Sequence, residues 1–383
     1  MAERKRIALI FKVNKDWMGG TYYVLNLINA LNTLPDEEKP EILLLCESKD
    51  DFDYALNYTH YPYMQFRNTF KKSKRQIIVR YLNKISKITF GSNKFYLNFL
   101  NEEVDAVYPV TSKYYIKSKS TKIYWIPDFQ ELYLPNFFES KIIKSRELRA
   151  KEMVLDNGHI VFSSQDALDS FNKFYPKGKH LKKSVFHFAS AIPQHVENAR
   201  VLIKEKFNAP DNFFYCANQF WVHKNHRTLF EAVRILKFRG TEVTIFCSGG
   251  TTDYRNPEYF PSLQNFIKDN GLEDNIRILG FIDRQDQVAL MQECSAIIQP
   301  SLFEGWSTSV EEAKAMNKFL ILSDLPLHKE QVTKNRYFFE RYNAESLADS
   351  IEKILKDNPQ VEVSDYNKNI LEAAQTFMKI IEE

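Results

Sequence analysis

The stretch PSLFEGWSTSVEEA, residues 300–313, places one carboxylate at Glu304 and another at Glu312. An apolar run at 296–298 comes directly before it, and its short length, with Pro300 as its boundary, predicts a buried strand. Residues 310–316 predict a helix. We therefore expect Glu304 in a strand-to-helix turn and Glu312 about two turns into the helix.

The loop between the two carboxylates is short and polar. Its amides meet the start of the predicted helix, where unpaired N–H groups and the helix dipole attract anions. Carboxylates accept hydrogen bonds from the hydroxyls of a sugar or a ribose. The sequence therefore predicts a phosphate site flanked by two groups that bind sugar hydroxyls.

This arrangement resembles the Glu-x7-Glu motif of the retaining glycosyltransferases of family 4, which have the GT-B fold of two facing Rossmann-like domains. The resemblance implies that Glu304 contacts the donor sugar and that Glu312 binds the ribose. It also implies that the donor diphosphate is held by the amides of Gly305, Trp306, Ser307 and Thr308. For a bare Glu-x7-Glu, the favoured interpretation is a turn cap at Glu304 and a solvated helix position at Glu312. The preceding strand, the Gly-Trp-Ser-Thr loop and the following helix favour the functional interpretation.

Composition indicates a globular protein of two domains. The chain has 383 residues, of which 44% are hydrophobic and 26% are charged. Neither a signal-peptide core nor a membrane-spanning run is visible, so we expect a cytoplasmic protein. A net charge of +3 does not indicate nucleic-acid binding. The widely spaced Cys46, Cys216, Cys247 and Cys294 have neither metal-site nor disulfide spacing, which predicts buried thiols.

Short apolar runs alternate with longer amphipathic segments along the chain. This alternation predicts α/β architecture with parallel sheets, and the break near residues 190–198 divides it into two Rossmann-like domains. We expect an acceptor-side domain at 1–192 and a nucleotide-sugar domain at 193–365. Residues 366–383 predict a helix that crosses back to the first domain, as in GT-B proteins. Ligands bind beyond the carboxyl ends of parallel strands, so two facing domains would enclose a cleft.

The segment NQFWVHKNH, residues 218–226, follows the first predicted strand of the second domain. The family has an Arg, five residues and a Lys here, both directed at the donor diphosphate. Lys224 matches the Lys, whose point charge suits a phosphate. Asn218 stands at the Arg position, so we predict that it faces the donor with one positive charge fewer. The lost charge could be supplied by His223, His226 or Arg227.

Two positions in the first half resemble family sites. Gly19 and Gly20, between a predicted strand and a helix, resemble the paired-glycine loop that faces the donor phosphate and the acceptor. Asp128 follows another predicted strand, where many relatives have His-Asp, but Pro127 replaces the His. Asp128 therefore either orients an acceptor hydroxyl or caps the following turn.

Two loops of the second half follow predicted strands. Gly280, Phe281 and Ile282 resemble the loop whose backbone recognises the nucleotide base, and we assign Ile282 to the donor site. Gly249 and Gly250 form either a close approach to a ligand or a plain turn.

A basic stretch extends from Arg67 to Lys87. It contains eight Lys or Arg residues and no acid, interleaved with apolar residues such as Ile78 and Tyr81. Such a pattern is typical of a helix that lies on an anionic membrane surface and equally of a solvated basic face. The first alternative would place the protein peripherally on the inner face of the plasma membrane.

Asp51 and Asp53 superficially resemble a metal-binding Asp-x-Asp motif, but they lie in a predicted polar surface loop without partners. We expect neither a metal nor another cofactor, because in GT-B enzymes amides and cations stabilise the diphosphate.

The resemblance therefore implies a metal-independent, retaining glycosyltransferase of the hexosyltransferase type. It would transfer a hexose or N-acetylhexosamine from a UDP- or GDP-sugar to a hydroxyl of a glycan or lipid-linked acceptor, in cell-surface polysaccharide synthesis. Catalysis would depend on Glu304, Lys224 and Asp128. The alternatives are a GT-B nucleotide-sugar epimerase and a non-catalytic nucleotide-sugar binding subunit.

Overall fold

The computed structural model describes residues 4–14, 18–68, 74–90, 95, 103–110 and 120–383. Within these ranges, strands and helices alternate, and the chain divides into two compact units. The first unit consists of Met1–Asp128, Lys144–Ala189 and Asn367–Glu383. The second consists of Phe129–Ile143 and Ser190–Tyr366. The chain thus passes between the units several times.

The first unit contains a parallel sheet of seven strands in the order β3-β2-β1-β4-β5-β6-β7. The central strand pairs Ile7 with Ile42 on one side and with Ala106 on the other. These apolar strands are buried on both faces, as expected for a parallel sheet covered by helices. The strands are β1 Arg6–Ile10, β2 Glu41–Cys46, β3 Met64–Asn68, β4 Ala106–Val110, β5 Thr121–Ile126, β6 His159–Phe162 and β7 Lys183–Val185.

The helices up to residue 174 connect these strands, and the last helix of the chain returns to this unit. Ser48 and Ser164 cap two of them by accepting hydrogen bonds from the amides of Asp51 and Ala167, both at 3.1 Å. The helices are α1 Met18–Asn32, α2 Lys49–Thr59, α3 Lys74–Phe90, α4 Gln130–Tyr133, α5 Ser140–Leu155 and α6 Gln165–Phe174, with α14 Asn367–Glu382 at the end of the chain.

The core of the first unit is aromatic. Tyr23 stacks on Trp125 with ring centroids 4.0 Å apart, and its hydroxyl hydrogen-bonds that of Tyr108. Phe377 of α14 packs 5.1 Å from the Tyr108 ring and 5.5 Å from that of Phe186. Because large aromatic side chains bury the most apolar area per residue, the last helix is an integral part of this core.

The second unit contains a parallel sheet of six strands in the order β10-β9-β8-β11-β12-β13. The strands are β8 Phe214–Ala217, β9 Ile245–Ser248, β10 Ile276–Gly280, β11 Ala296–Gln299, β12 Leu320–Ser323 and β13 Arg336–Phe339. Apolar clusters cover both faces, one around Leu229 and Ile245 and the other around Phe213 and Leu290. The helices are α7 Ala199–Phe207, α8 His226–Phe238, α9 Tyr259–Asp269, α10 Arg284–Glu293, α11 Thr308–Ala315, α12 Pro326–Gln331 and α13 Ala344–Asp357.

The strand order of the second unit reverses between β8 and β11. From β8 the chain adds β9 and β10 on one side, and then β11 on the other. Ligands of open α/β sheets bind beyond the carboxyl ends of the strands at such a switch point. The segments that follow β8 and β11 are the two motifs predicted to bind the donor.

The predicted α/β class with two parallel sheets is confirmed. The sequence did not predict that residues 129–143 belong to the second unit. There the ring centroids of Tyr133 and Phe303 are 5.7 Å apart. The units divide at Ala189 and Ser190, three residues before the predicted domain boundary at 192. The division places α14 in the first unit.

Two local predictions need correction. Gly19 and Gly20 lie inside α1 and not in a loop, because the buried face of that helix, with Tyr23 and Leu27, outweighs their low helix propensity. Asp51 and Asp53 likewise belong to α2, whose first turn is fixed by the Ser48 cap, and Asp53 pairs with Lys49 at 2.8 Å.

Other sequence predictions concern the cysteines, metal ions and the basic stretch. The four cysteines are buried free thiols, as predicted. In the described ranges, no group of three or more His, Cys, Asp or Glu residues could hold a metal ion. None of the described helices is long and apolar enough to cross a bilayer. Of the basic stretch, Arg67 lies in β3 and residues 74–87 in α3, whereas Lys71 and Lys72 lie outside the described residues.

Candidate functional site at the carboxyl edge of the second sheet

Glu304 lies in the loop that connects β11 to α11, and its carboxylate is held on one oxygen. Oε1 accepts hydrogen bonds from Lys224 Nζ at 2.5 Å, Ser301 Oγ at 2.6 Å and Gln299 Nε2 at 3.0 Å. Burial alone raises the pKa of Glu304, but the Lys224 cation and the hydrogen bonds from Lys224 and Ser301 outweigh it, and the pKa falls to about 2. Glu304 is therefore an anion at neutral pH with a fixed orientation.

Lys224 ends a short 3-10 helix, Val222–Lys224, after β8. The next residue, Asn225, has φ 58°, and its side-chain amide donates to the carbonyl of Pro300 at 3.1 Å and to that of Arg341 at 2.9 Å. The amide of Leu302 also donates to the carbonyl of His223 at 2.7 Å. These bonds tie the segment after β8 to the loop after β11, so Lys224 and Glu304 approach each other through fixed backbone.

The predicted phosphate-binding amides lie at the start of α11, where Ser307 is the N-cap residue and Thr308 the first helical residue. Gln331 supports this turn, because its Nε2 donates to the Ser307 carbonyl and to Glu311 Oε1, both at 2.9 Å. Its Oε1 lies 3.4 Å from the Ser307 amide. The loop is thus a rigid turn that leads into a helix N-terminus, a geometry suited to an anion.

Glu312 lies in α11, as its spacing from Glu304 predicts, and it is 5% exposed. Arg284, the first residue of α10, binds it with both guanidinium nitrogens: NH2 lies 2.6 Å from Oε1 and NH1 3.1 Å from Oε2. Such a bidentate pair fixes the plane of the carboxylate. Each carboxylate oxygen has two acceptor positions, so Glu312 can still accept hydrogen bonds from a ligand.

Asn218 follows β8, but its side chain is directed at another protein side chain. Its Nδ2 donates to Gln299 Oε1 at 2.8 Å, and its Oδ1 accepts from Gln299 Nε2 at 3.1 Å. Both residues are buried. Gly249 packs against the backbone here, because a Cβ at this position would lie 2.1 Å from the Asn218 carbonyl oxygen. This close approach favours the turn interpretation of Gly249.

None of the three residues proposed to replace the missing Arg presents an unpaired surface cation. Burial and the neighbouring Lys224 lower the pKa of His223 to about 3, so this imidazole is neutral at pH 7. His226 is fully buried and stacks on Phe220 at 4.1 Å. Arg227 pairs with Glu231 at 2.7 Å on the outer face of α8.

The loop after β10 contains the predicted base-binding residues. Gly280 has φ +66°, and its carbonyl accepts from the Gly249 amide at 2.8 Å. Ile282 is half-buried against the apolar cluster around Phe213 and Leu290, whereas Phe281 is 85% exposed. The backbone of this loop is therefore fixed by the neighbouring loop at the same edge of the sheet.

The remaining predicted residues belong to the first unit. Asp128 lies 3.7 Å from Arg146, and it precedes Phe129, the N-cap residue of α4, by one position. Gly19 and Gly20 form the first turn of α1. The roles assigned to these three residues stay predictions.

Sequence reasoning missed Arg284, Gln299, Ser301 and Gln331, all of which touch a predicted carboxylate or its loop. Gln299 and Ser301 flank Pro300, so their proximity to the motif was visible in the sequence. Arg284 precedes its partner by 28 residues, and no local spacing connects the two.

Comparison with known proteins finds similarity in a family model, in curated proteins and in solved structures. A family model described as "Glycosyl transferases group 1" matches residues 199–375. The chain is 30% identical over 176 residues to an N,N'-diacetylbacillosaminyl-diphospho-undecaprenol alpha-1,3-N-acetylgalactosaminyltransferase of Campylobacter jejuni, covering 43% of this chain and 42% of the relative. It is 25% identical over 234 residues to the O-antigen chain mannosyltransferase RfbU of Salmonella typhimurium, covering 60% of this chain and 59% of the relative. The chain thus spans less than two thirds of these curated relatives.

Among solved structures, Anabaena Alr3699/HepE in complex with UDP and glucose superposes with a TM-score of 0.65 at 16% identity. The match covers 99% of this chain and 98% of that one. At this identity the likeness shows the fold alone, which is GT-B.

Proposed function

We propose that this chain is a retaining glycosyltransferase that moves a hexose or N-acetylhexosamine from a UDP- or GDP-sugar to a hydroxyl of a glycan or lipid-linked acceptor. The observation that carries the proposal is the Lys224–Glu304 pair at the switch point of the second sheet, beside the helix N-terminus at Thr308. The match to the group 1 glycosyltransferase model over residues 199–375 supports the activity. The two curated relatives, named for O-antigen and undecaprenol-linked substrates, support a role in cell-surface polysaccharide synthesis.

The donor diphosphate would lie between Lys224 and the amides of residues 305–308. As the bond from the sugar to the diphosphate breaks, negative charge develops on the leaving oxygen, and a preorganised cation and helix N-terminus stabilise it. Because these groups supply positive charge, we propose that transfer needs no metal ion. Removing one such group typically costs about a hundredfold to a thousandfold in kcat.

Glu304 would hold the donor sugar through the oxygen that its own neighbours do not use. Lys224, Ser301 and Gln299 all contact Oε1, so Oε2 is available to accept from a sugar hydroxyl. Glu312, held by Arg284, would accept from the ribose hydroxyls. Asp128 of the first unit would orient the acceptor hydroxyl.

Incubation with a panel of UDP-, GDP- and dTDP-sugars, with and without undecaprenol-diphosphate-linked saccharides, tests the proposal. We expect transfer that depends on the acceptor and retains the anomeric configuration, as seen by NMR of the product. Conversion of the donor without acceptor would instead indicate an epimerase. Tight donor binding without turnover would indicate a binding subunit, the alternative motivated by Asn218 and Pro127.

Replacing the carboxylate of Glu304 separates its role from nucleotide binding. Glu304→Ala should lower kcat by at least about a hundredfold, because the contact to the sugar is lost, while the Kd for free nucleotide stays nearly unchanged. The matched control is Glu231→Ala, which removes a carboxylate paired with Arg227 on the outer face of α8. Undiminished transfer by Glu304→Ala would contradict the role assigned to Glu304.

We further propose that α3 contacts an anionic membrane surface, which would hold the protein near a lipid-linked acceptor. Exposed apolar residues follow one another at helical spacing along one side of α3: Ile77, Ile78, Tyr81, Leu82 and Ile85, between 38% and 67% exposed. Ser86 of the same helix is buried, at 3% exposure. Positions 74, 75, 80, 84 and 87 of the same helix are Lys or Arg. An apolar stripe on a basic helix is typical of interfacial helices.

Sedimentation with liposomes tests this contact. The wild type should bind vesicles containing anionic phosphatidylglycerol and not vesicles of phosphatidylcholine alone, because the basic helix contributes electrostatic attraction. Replacing Ile78, Tyr81 and Ile85 by Ser should abolish the binding. Phe238→Ser is the control, since it removes a 94% exposed aromatic side chain from α8 in the other unit. Equal binding to both vesicle types would contradict the proposal.

A further inference from the structure

Asn218 and Gln299 form a reciprocal amide pair beneath the Glu304 carboxylate. Asn218 directly follows β8, Gln299 ends the adjacent strand β11, and they are 5% and 0% exposed. Each amide donates to the other, at 2.8 Å and 3.1 Å. Buried amides impose a penalty unless they are paired, so each residue requires the other in this place.

The nitrogen of Gln299 points to the functional loop. Besides Asn218 Oδ1, it lies within hydrogen-bond distance of Glu304 Oε1 at 3.0 Å and Ser307 Oγ at 3.2 Å. Gln299 thus contacts both the carboxylate predicted to hold the sugar and the N-cap residue of the phosphate-binding helix.

The pairing with Asn218 and the contact with Glu304 together fix which way the Gln299 amide faces. Because Asn218 Nδ2 donates to Gln299 Oε1, the NH2 group of Gln299 is left to face Glu304. If the Gln299 amide were rotated by half a turn, its carbonyl oxygen would face the Glu304 carboxylate. That arrangement would bring an acceptor against an acceptor and would raise the free energy of the anion.

We infer that Asn218 and Gln299 are positioning residues of the donor site, which orient Glu304 so that Oε2 faces the donor sugar. The inference rests on the proposed function. It replaces the prediction that Asn218 contacts the donor itself in the place of a missing Arg. The pair is neutral, so the positive charge beside Glu304 is that of Lys224.

Two substitutions at Gln299 test the inference. Gln299→Met keeps the approximate shape of the side chain and removes the amide oxygen and the NH2 group. Gln299→Glu places a carboxylate against Glu304. We expect kcat to fall about tenfold for Met and about a hundredfold for Glu, while the Kd for free nucleotide changes less than threefold. A like charge raises the pKa of Glu304, so Gln299→Glu should also make the fold more sensitive to acid.

Asn218→Asp removes the donor that fixes the Gln299 amide and retains an acceptor. It should also lower kcat without weakening nucleotide binding. The control is Asn275→Leu, which removes a buried Asn side chain that donates to the Val243 carbonyl at 2.9 Å. This variant should lose thermal stability and retain kcat at a temperature where it is folded. Equal loss of nucleotide binding and kcat in the Gln299 variants would overturn the inference.

A readout that needs no turnover separates this inference from the proposed function. Gln299→Glu should shift acid unfolding to higher pH in the wild-type background and have no such effect in a Glu304→Gln background, where the carboxylate is absent. If the wild type turns over no donor but the acid-unfolding shift of Gln299→Glu still depends on the Glu304 carboxylate, only the proposed function fails. If donor transfer occurs but that dependence is absent, the positioning role fails.

Discussion

The two oxygens of Glu304 have different surroundings, and the difference assigns their tasks. Oε1 is occupied by a lysine, a serine and a glutamine, and so it positions the side chain. Oε2 is the oxygen available to a ligand. A carboxylate that is held this way would lose little conformational entropy on binding a sugar hydroxyl, as the proposed role requires.

Arg284 fixes the Glu312 carboxylate through a bidentate pair. Substitutions of these two residues should therefore have non-additive effects on donor binding. Given the proposed role of Glu312 at the ribose, Arg284→Ala should raise the KM for the donor about tenfold, because Glu312 then loses its fixed orientation. Glu312→Ala should have a similar effect, and the double variant should be little worse than either single variant. A double-mutant cycle on KM and kcat measures this coupling.

Arg239→Ala is the matched control for that cycle. Arg239 forms a surface network with Glu345, Asp349 and Glu352, outside the donor motifs, and its loss should leave KM unchanged. Fully additive effects of Arg284→Ala and Glu312→Ala would show that the two residues act independently.

How far the sequence predicts the site depends on how local each contact is. Glu304 and the loop lie between β11 and α11, and Glu312 lies in α11, so periodicity and turn chemistry place them correctly. Arg284 reaches Glu312 and Gln331 reaches the loop from other helices, and only the strand order brings them there. For Asn218 the position relative to the strand was correct, but the direction of its side chain depends on Gln299 of a neighbouring strand.

At the scale of elements, α14 contributes a large part of the first unit's core. Phe377→Ala should destabilise that unit by about 3–5 kcal/mol, since a large buried aromatic side chain is lost between Tyr108 and Phe186. Hydrogen exchange followed by mass spectrometry should show faster exchange in β1 and β4 and unchanged exchange in β8 and β11.

Phe238→Ala is the control for that experiment, because Phe238 is 94% exposed at the end of α8. It should change exchange in neither unit. Faster exchange confined to α14 itself would show that the helix lies on the first unit without stabilising it.

The segment 129–143 shows what sequence patterns miss at this scale. Its side chains Tyr133 and Phe138 pack on Phe303 and Arg255 of the second unit. The alternation of strands and helices predicts the sheets, because each strand needs only its own apolar run. It does not predict which unit a connecting segment packs against, because that depends on tertiary contacts. The periodicity of the sequence contains no information about them.

At the scale of the whole molecule, buried histidines make stability depend on pH. Burial lowers the pKa of His159 in the first unit and of His328 in the second to about 4, from 6.5. The neutral forms are favoured in the folded state, so this stability is fully present above pH 6.5 and is lost as the pH falls towards 4. Each group can contribute up to about 1.4 kcal/mol per pH unit in that window.

Urea unfolding between pH 7 and 4 measures this loss. His328→Gln should flatten the dependence of the free energy of unfolding on pH, since one group that must be protonated is removed. The exposed His180→Gln is the control and should leave the slope as it is. An unchanged slope in His328→Gln would show that other groups govern acid unfolding.

The inclusion of α14 in the first unit determines the order in which the two units can be completed on the ribosome. Residues 190–366 are all synthesised before Asn367, so the second unit can close while the first still lacks Phe377. During that interval Tyr108 and Phe186 miss a partner, and the apolar surface they share is open to other chains. The unit that emerges first is therefore the last to be finished, and its exposure to aggregation lasts until the second unit has been made.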